Sequence, residues 1–130
     1  MSVSKETEAR GQILRLYQRD SRVEELREHG KREEKGERKE KGEKVVGGVA
    51  GSLRPIVVAA TQETGSRTVV VCSGREEAAY FYQDLVRLTG EDSEVYYMPP
   101  SYRHAPTAAG VEVQNIQLRT EAMSRVTLNQ

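Results

Sequence analysis

Tryptophan is missing from this 130-residue sequence, cysteine occurs once, and no lysine follows Lys44. A single cysteine excludes an internal disulfide and is typical of a protein that stays in a reducing cytosol. The sequence also lacks an apolar run of about 18 residues, the length that a membrane-spanning helix needs. Residues 1–11 are too highly charged for a signal peptide. We therefore expect a soluble, cytoplasmic protein with no membrane partner.

An excess of charge of either sign is also missing, because 20 basic residues balance 20 acidic residues. General attraction to nucleic acid or to an anionic membrane is therefore not predicted. His29 and His104 lie far apart in the sequence, and no cysteine or histidine pair has the spacing of a zinc site. We predict no catalytic residue, no metal site and no cofactor for this chain.

Charge and glycine divide the chain into three parts. Residues 1–29 are predicted to form an N-terminal helical segment, since apolar residues recur there at helical spacing. Asp20 or Ser21 is expected to cap a second helix that ends at Gly30. Residues 30–44 carry seven cations, five anions and no apolar side chain, which predicts a charged low-complexity linker. Residues 45–130 form the third part.

Short apolar runs alternate with helical patterns in residues 45–130. The predicted strands are Val45–Val46, Thr68–Cys72 and Glu94–Met98. Strands that alternate with helices predict an open parallel three-layer α/β sheet with right-handed crossovers. Three strands leave two unpaired edges, so we interpret 45–130 as an incomplete subdomain, the front part of a larger domain.

Three helices are predicted between and after those strands. One follows Ser52, one spans 75–89 with Gly90 as its stop, and the last spans about 111–126. In the last helix the residues expected to be buried are Ile116, Met123 and Val126.

A glycine-rich loop joins the first predicted strand to the next helix, an arrangement that forms the scaffold of phosphate-binding loops. Its candidate residues are Gly47, Gly48, Gly51 and Ser52. A working nucleoside-triphosphate loop needs a lysine after its last glycine, and Ser52 stands there. Arg54 is the nearest cation, and its guanidinium does not replace the compact ammonium group of lysine. We therefore predict a vestigial phosphate loop that serves strand–helix packing.

A second candidate site follows the third predicted strand, at the end where parallel α/β sheets place their binding sites. Its residues are Arg75, Tyr102, Arg103, His104 and Arg119. Because cations are few elsewhere in residues 45–130, we interpret this group as a docking patch for a partner.

Four short series carry a resemblance to a known family. They are Gly48–Ser52 (GVAGS), Glu77–Leu85 (EAAYFYQDL), Tyr97–Arg103 (YMPPSYR) and Arg119–Arg125 (RTEAMSR). In order and spacing they resemble the N-terminal region of bacterial transcription-repair coupling factors (Mfd). Their residues are most similar to the Bacteroidetes type. The resemblance covers about residues 12–126, with 30–44 as an insertion or drifted segment. Pro55 departs from it, being unusual so early in a helix.

This resemblance implies a UvrB-like module with a RecA-like fold whose degenerate phosphate loop has lost ATP binding. In that family a following inserted domain recruits UvrA, later domains bind RNA polymerase, and a C-terminal motor uses ATP to translocate on DNA. The function implied for this chain is a non-catalytic scaffold in transcription-coupled nucleotide excision repair of DNA damage. Its implied partner is the remainder of the repair factor, or the assembly of that factor with UvrA and RNA polymerase.

Two other functions stay open on the residues alone. The chain is either a small phosphate- or nucleotide-binding α/β enzyme that uses the Gly47–Ser52 loop, or an independent adaptor. An adaptor would bind its partner through the helical pattern in residues 4–29 or through the loop at Arg103.

Overall fold

The computed structural model describes residues 2–34, 44–62, 65–100 and 109–128. Their regular elements are five helices: α1 (Ser2–Gln18), α2 (Ser21–Glu34), α3 (Leu53–Thr61), α4 (Arg75–Thr89) and α5 (Ala109–Leu128). No residue within the described ranges belongs to a β-strand. The predicted incomplete α/β sheet, and the RecA-like fold that the resemblance implied, are therefore wrong, because the regular structure of the described chain is all-helical.

The predicted strands fail because none of them has a neighbouring strand. Residues 66–72 and 94–100 each run without helix, turn or bend, and the alternating exposure of Val69, Val70 and Val71 fits an extended chain. In the described part of the chain, no backbone hydrogen bond joins Val45–Val46, Thr68–Cys72 and Glu94–Met98 to one another. β-Branched residues favour a strand only where a neighbour supplies a ladder and a packed face. These runs therefore remain connections between helices.

Helix α3 is the element on which the other packed helices meet. It contacts α1, α2 and α4, and its residues Pro55 and Ala60 are fully buried. Pro55 stands at the third helical position, where a backbone N–H has no intrahelical acceptor and its loss costs little. Arg54 is helical in spite of the steric bias that a following proline imposes. Burial of a short apolar helix thus organises the fold.

The C-terminal end of α3 is held by a side chain from α2. Arg27 donates to the carbonyl of Ala60 at 3.1 Å and to the carbonyl of Gln18 at 3.4 Å. The last carbonyls of a helix lack intrahelical partners, and a cation there also complements the helix dipole. The Arg27 guanidinium therefore satisfies a terminal carbonyl of α3 and links α3 to the end of α1.

Helices lie where the apolar pattern of the first 29 residues predicted them. Asp20 caps α2 as predicted, since its Oδ1 accepts the backbone N–H of Arg22 at 2.9 Å. The guanidinium of Arg22 binds the same carboxylate at 2.7 and 3.0 Å. That side-chain bond, with the backbone bond, lowers the pKa of Asp20 to about 2. The predicted stop at Gly30 is wrong, because α2 continues to Glu34.

Helix α4 has the predicted bounds, Arg75–Thr89, and ends at Gly90 as predicted. Gly90 has a φ of +95°, a conformation that glycine adopts without the penalty of a Cβ atom. The ring of Phe81 is buried on a helix that contacts both α1 and α3. The predicted stop at Gly90 therefore defined the C-terminal end of α4.

Helix α5 contacts none of the other four described helices. It packs instead on the extended run 94–100, where Arg119 donates to the carbonyl of Pro99 at 2.9 Å. The guanidinium of Arg125 lies 5.8 Å from the centroid of the Tyr96 ring. Pro99 and Ala122 are buried, so the small side chain of Ala122 marks the packed face of α5.

The residues predicted to be buried in this helix are exposed. They are Ile116, Met123 and Val126. The prediction is wrong because it placed the largest apolar side chains inwards, whereas the buried face of α5 is the one that carries Ala122.

We predict that Ala60→Leu lowers the free energy of unfolding by about 1–3 kcal/mol, the usual cost of extra methylenes in a filled core. Urea denaturation of the full chain measures this change. The matched control is Ala50→Leu, since Ala50 is exposed and surface substitutions usually change stability by about 0.5 kcal/mol or less. Equal stability of Ala60→Leu and the wild type would show that α3 is not enclosed.

Candidate functional site

The glycine loop Gly47–Ser52 precedes α3 and has the conformation of a tight turn. Gly48 and Gly51 have φ values of +75° and +55°, in the left-handed region that strains other residues. The N–H of Arg54 donates to the carbonyl of Gly51 at 3.2 Å, which begins the helix. The loop and the helix after it are present as predicted, while the strand before it is not.

The space around this loop is open. Gly47, Gly48, Gly51 and Ser52 are all exposed, and a Cβ atom on any of the three glycines would meet nothing within 4 Å. Ser52 precedes α3 without a capping hydrogen bond from its side chain. The glycines are therefore required by the backbone angles at Gly48 and Gly51, not by close packing of the loop.

The guanidinium of Arg54 does not bind the loop, because a side chain of α4 accepts its hydrogen bond. Its guanidinium donates to Oε1 of Glu77 and lies 6.0 Å from the centroid of the Phe81 ring. The second carboxylate oxygen of Glu77 accepts the backbone N–H of Ser73 at 2.9 Å and its hydroxyl at 2.6 Å. One carboxylate therefore joins the first turn of α3 to the start of α4.

These partners shift the titration of Glu77. Hydrogen bonds from the hydroxyl and N–H of Ser73, followed by the bond from Arg54, lower the pKa of Glu77 from 4.5 to about 2. The carboxylate is therefore charged throughout the neutral range and neutralises the guanidinium of Arg54. An anion in the loop would have to compete with a carboxylate that is already in place.

Lys44, the cation on the other side of the loop, is also paired. It donates to Oε1 of Glu25 on α2, and this bond lowers the pKa of Glu25. The cations that flank the loop in the sequence, Lys44 and Arg54, thus each bind a carboxylate from a packed helix. The loop retains backbone amides at a helix start, but these two cations bind carboxylates and do not complete a phosphate site.

The predicted docking patch is only partly described. Arg75 is exposed at the start of α4, and its carbonyl accepts the hydroxyl of Tyr97 at 3.5 Å. Arg119 is half-buried and committed to the carbonyl of Pro99. Tyr102, Arg103 and His104 lie outside the described residues. The docking patch therefore stays a prediction, of which the structure describes only Arg75 and Arg119.

The contacts of Glu77 with Ser73 and Arg54 were not predicted from the sequence. Both Glu76 and Glu77 complement the helix dipole from the first turn of α4, so the dipole does not distinguish between them. A signal was present, since Glu77 stands at the third helical position, from which a carboxylate reaches back to the residues before the helix. Ser73 supplies both donors there. The contact with Arg54 needed the packing of α3 on α4.

Two searches of the described residues gave negative results. They contain no group of three or more His, Cys, Asp or Glu side chains arranged to bind a metal ion. None of the helices in the described ranges has the length and apolar character needed to cross a membrane.

No protein-family model, curated protein or solved structure matched this chain when it was compared with them. The resemblance to transcription-repair coupling factors therefore stays a prediction from the four residue series.

We predict that the stability contributed by Glu77 depends on pH with a definite sign. A carboxyl group whose pKa is lower in the folded state stabilises that state fully above its unfolded pKa, and the contribution falls as pH drops towards the folded pKa. The stability that Glu77 contributes should therefore be lost as the pH falls from 4.5 to about 2. Glu77→Gln should be less stable than the wild type at pH 7, and the difference should shrink through this window.

The measurement is thermal denaturation of both proteins at several pH values, with Glu76→Gln as the matched control. Glu76 is the adjacent exposed acid, and its replacement should give a difference that changes little over the same window. An NMR titration in which the Glu77 carboxyl has its ordinary midpoint near 4.5 would contradict the assignment.

Proposed function

We propose that this chain is a non-catalytic scaffold, the N-terminal part of a bacterial transcription-repair coupling factor that acts in the cytoplasm. The observation that carries the non-catalytic role is the pairing of Arg54 with Glu77 beside a glycine loop that lacks lysine. The resemblance of the four residue series supports the repair system. The proposal does not include a RecA-like fold, since the described residues are helical.

The chemistry at the loop supports a role for this chain that does not involve nucleotide turnover. Hydrolysis of a nucleoside triphosphate needs a cation on the terminal phosphates and a metal ion held by side chains. Arg54 and Lys44 are each bound by a carboxylate, and the described residues hold no metal-binding cluster. A role as part of an assembly needs neither group.

The exposed side chains of α5 favour an interaction role of some kind. Ile116, Met123 and Val126 are all exposed on a helix that contacts no other described helix. The same observation favours the second candidate, an independent adaptor that works outside DNA repair. For the scaffold role, the partner we propose is the remainder of the repair factor, or its assembly with UvrA and RNA polymerase.

We predict that deletion of the segment encoding this chain slows the removal of ultraviolet lesions from transcribed DNA strands to the rate seen on non-transcribed strands. Strand-specific repair assays in the source bacterium measure both rates. Restoring the wild-type chain should restore the difference. Ser52→Ala is the matched variant and should restore it equally, because the scaffold role does not use the loop hydroxyl.

Two results would separate the candidates. Unchanged repair of the transcribed strand after deletion would contradict the scaffold role and leave the adaptor. Calorimetric titration of the purified chain with ATP, GTP and NAD should give no binding heat. Binding that Ser52→Ala abolishes would instead support the nucleotide-binding enzyme.

A further inference from the structure

The extended run Thr68–Cys72 presents apolar side chains to solvent in an alternating pattern. Val69 and Val71 are 84% and 88% exposed, whereas Val70 between them is 39% exposed. Alternation with a period of two is the geometry of a strand whose successive side chains point to opposite sides. The run therefore has the side-chain arrangement of a sheet edge although no sheet is present in the described chain.

The backbone of the same run is available for pairing. Within the described residues, no backbone hydrogen bond is made by Val69, Val70 or Val71. Only another extended chain places donors and acceptors at the spacing that such a run requires. Natural edges are usually protected by lysine, proline or a bulge, and Thr68–Cys72 contains neither lysine nor proline.

The run is complementary to itself. In an antiparallel pair centred on Val70, each Val69 faces Val71 of the second copy and each Thr68 faces Cys72. β-Branched residues in direct opposition stabilise an antiparallel pair. No charged residue occurs within the five positions, so a two-fold arrangement opposes no like charges.

The ends of the run oppose no like charges. In the same register, Arg67 of one copy lies across from Ser73 of the second copy. Ser73 donates its hydroxyl to the Glu77 carboxylate at 2.6 Å, and that carboxylate also binds Arg54, so Arg67 approaches a neutral ion pair. Arg67 also donates to the carbonyl of Val126 at 3.3 Å, which keeps its guanidinium near the run.

We propose that two copies of this chain associate by antiparallel pairing of Thr68–Cys72 about a two-fold axis at Val70. Such an interface is isologous, because the same five residues are contributed by both copies. A pair of five-residue strands buries less than the roughly 1,200 Å² that stable complexes reach. The association is therefore weak and depends on concentration. It is independent of the repair function proposed above.

Sedimentation equilibrium of the full chain tests the proposal. The apparent mass should rise from 14.6 kDa towards twice that value as the concentration increases. Val69→Lys combined with Val71→Lys should keep the chain monomeric, because each new lysine faces another across the axis. The matched control is Val45→Lys, since Val45 is also 84% exposed but lies outside the run, and it should dimerise like the wild type.

Variants of opposite charge and disulfide cross-linking test the register of the antiparallel pair. A mixture of the double-lysine variant with Val69→Glu/Val71→Glu should form mixed dimers, although each variant alone stays monomeric. In Thr68→Cys, mild oxidation with diamide should join residue 68 to Cys72 of the second copy. Val69→Cys is the control, because its side chain lies on the opposite face from Cys72 and should not cross-link to it.

A wild-type chain that stays monomeric at every soluble concentration would overturn the proposal. So would dimers that survive the two lysine substitutions, or lysine and glutamate variants that fail to combine. None of these outcomes bears on strand-specific repair, so failure of the dimer and failure of the proposed function are separate results.

Discussion

Burial of α3 is the constraint on which the rest of the described structure depends. Nine residues, Leu53–Thr61, supply the surface that α1, α2 and α4 share. Isolated helices of this length are marginal in water, so tertiary packing must hold the helix in place. Arg27 satisfies its C-terminal end and Glu77 binds its first turn through Arg54. Ala60 permits close approach because it is small and completely buried.

The same packing determines which side chains surround the glycine loop. The helices that enclose α3 bring acids to both sides of the loop: Glu25 pairs with Lys44, and Glu77 pairs with Arg54. A carboxylate held by hydrogen bonds stays ionised and offsets the positive charge of its partner. The positive end of the α3 dipole remains, but a dipole alone is a modest attraction for an anion. The contacts that hold α3 in place therefore also engage the two cations that flank the loop in the sequence.

Helices with clear end signals could be predicted from the sequence. The acidic first turn, apolar spacing and Gly90 defined α4, and Asp20 defined the start of α2. Strands could not be predicted in the same way, because a valine run such as Thr68–Cys72 becomes a strand only when another segment pairs with it. Whether such a segment exists is a property of the whole fold, and the local sequence does not contain it.

In the candidate site, too, some features could be predicted from the local sequence and others depended on packing. Absence of a lysine after Gly51 was readable from the sequence, and it predicted the loss of phosphate chemistry. The pairing of Arg54 with Glu77 spans 23 positions and required knowledge of how α3 packs on α4. The packed face of α5 was predicted wrongly because large apolar residues were assumed to face inwards, whereas the buried residue of this helix is Ala122.

Hydrogen exchange of backbone amides tests the central role of α3 most directly. If packing determines stability, the hydrogen-bonded amides of the nine-residue α3, Val57–Thr61, should exchange more slowly than those of the 20-residue α5. Helix length alone predicts the reverse order, since longer helices are intrinsically more stable. Slow exchange in α3 with fast exchange in α5 is the result we expect. Slower exchange in α5 would contradict the account.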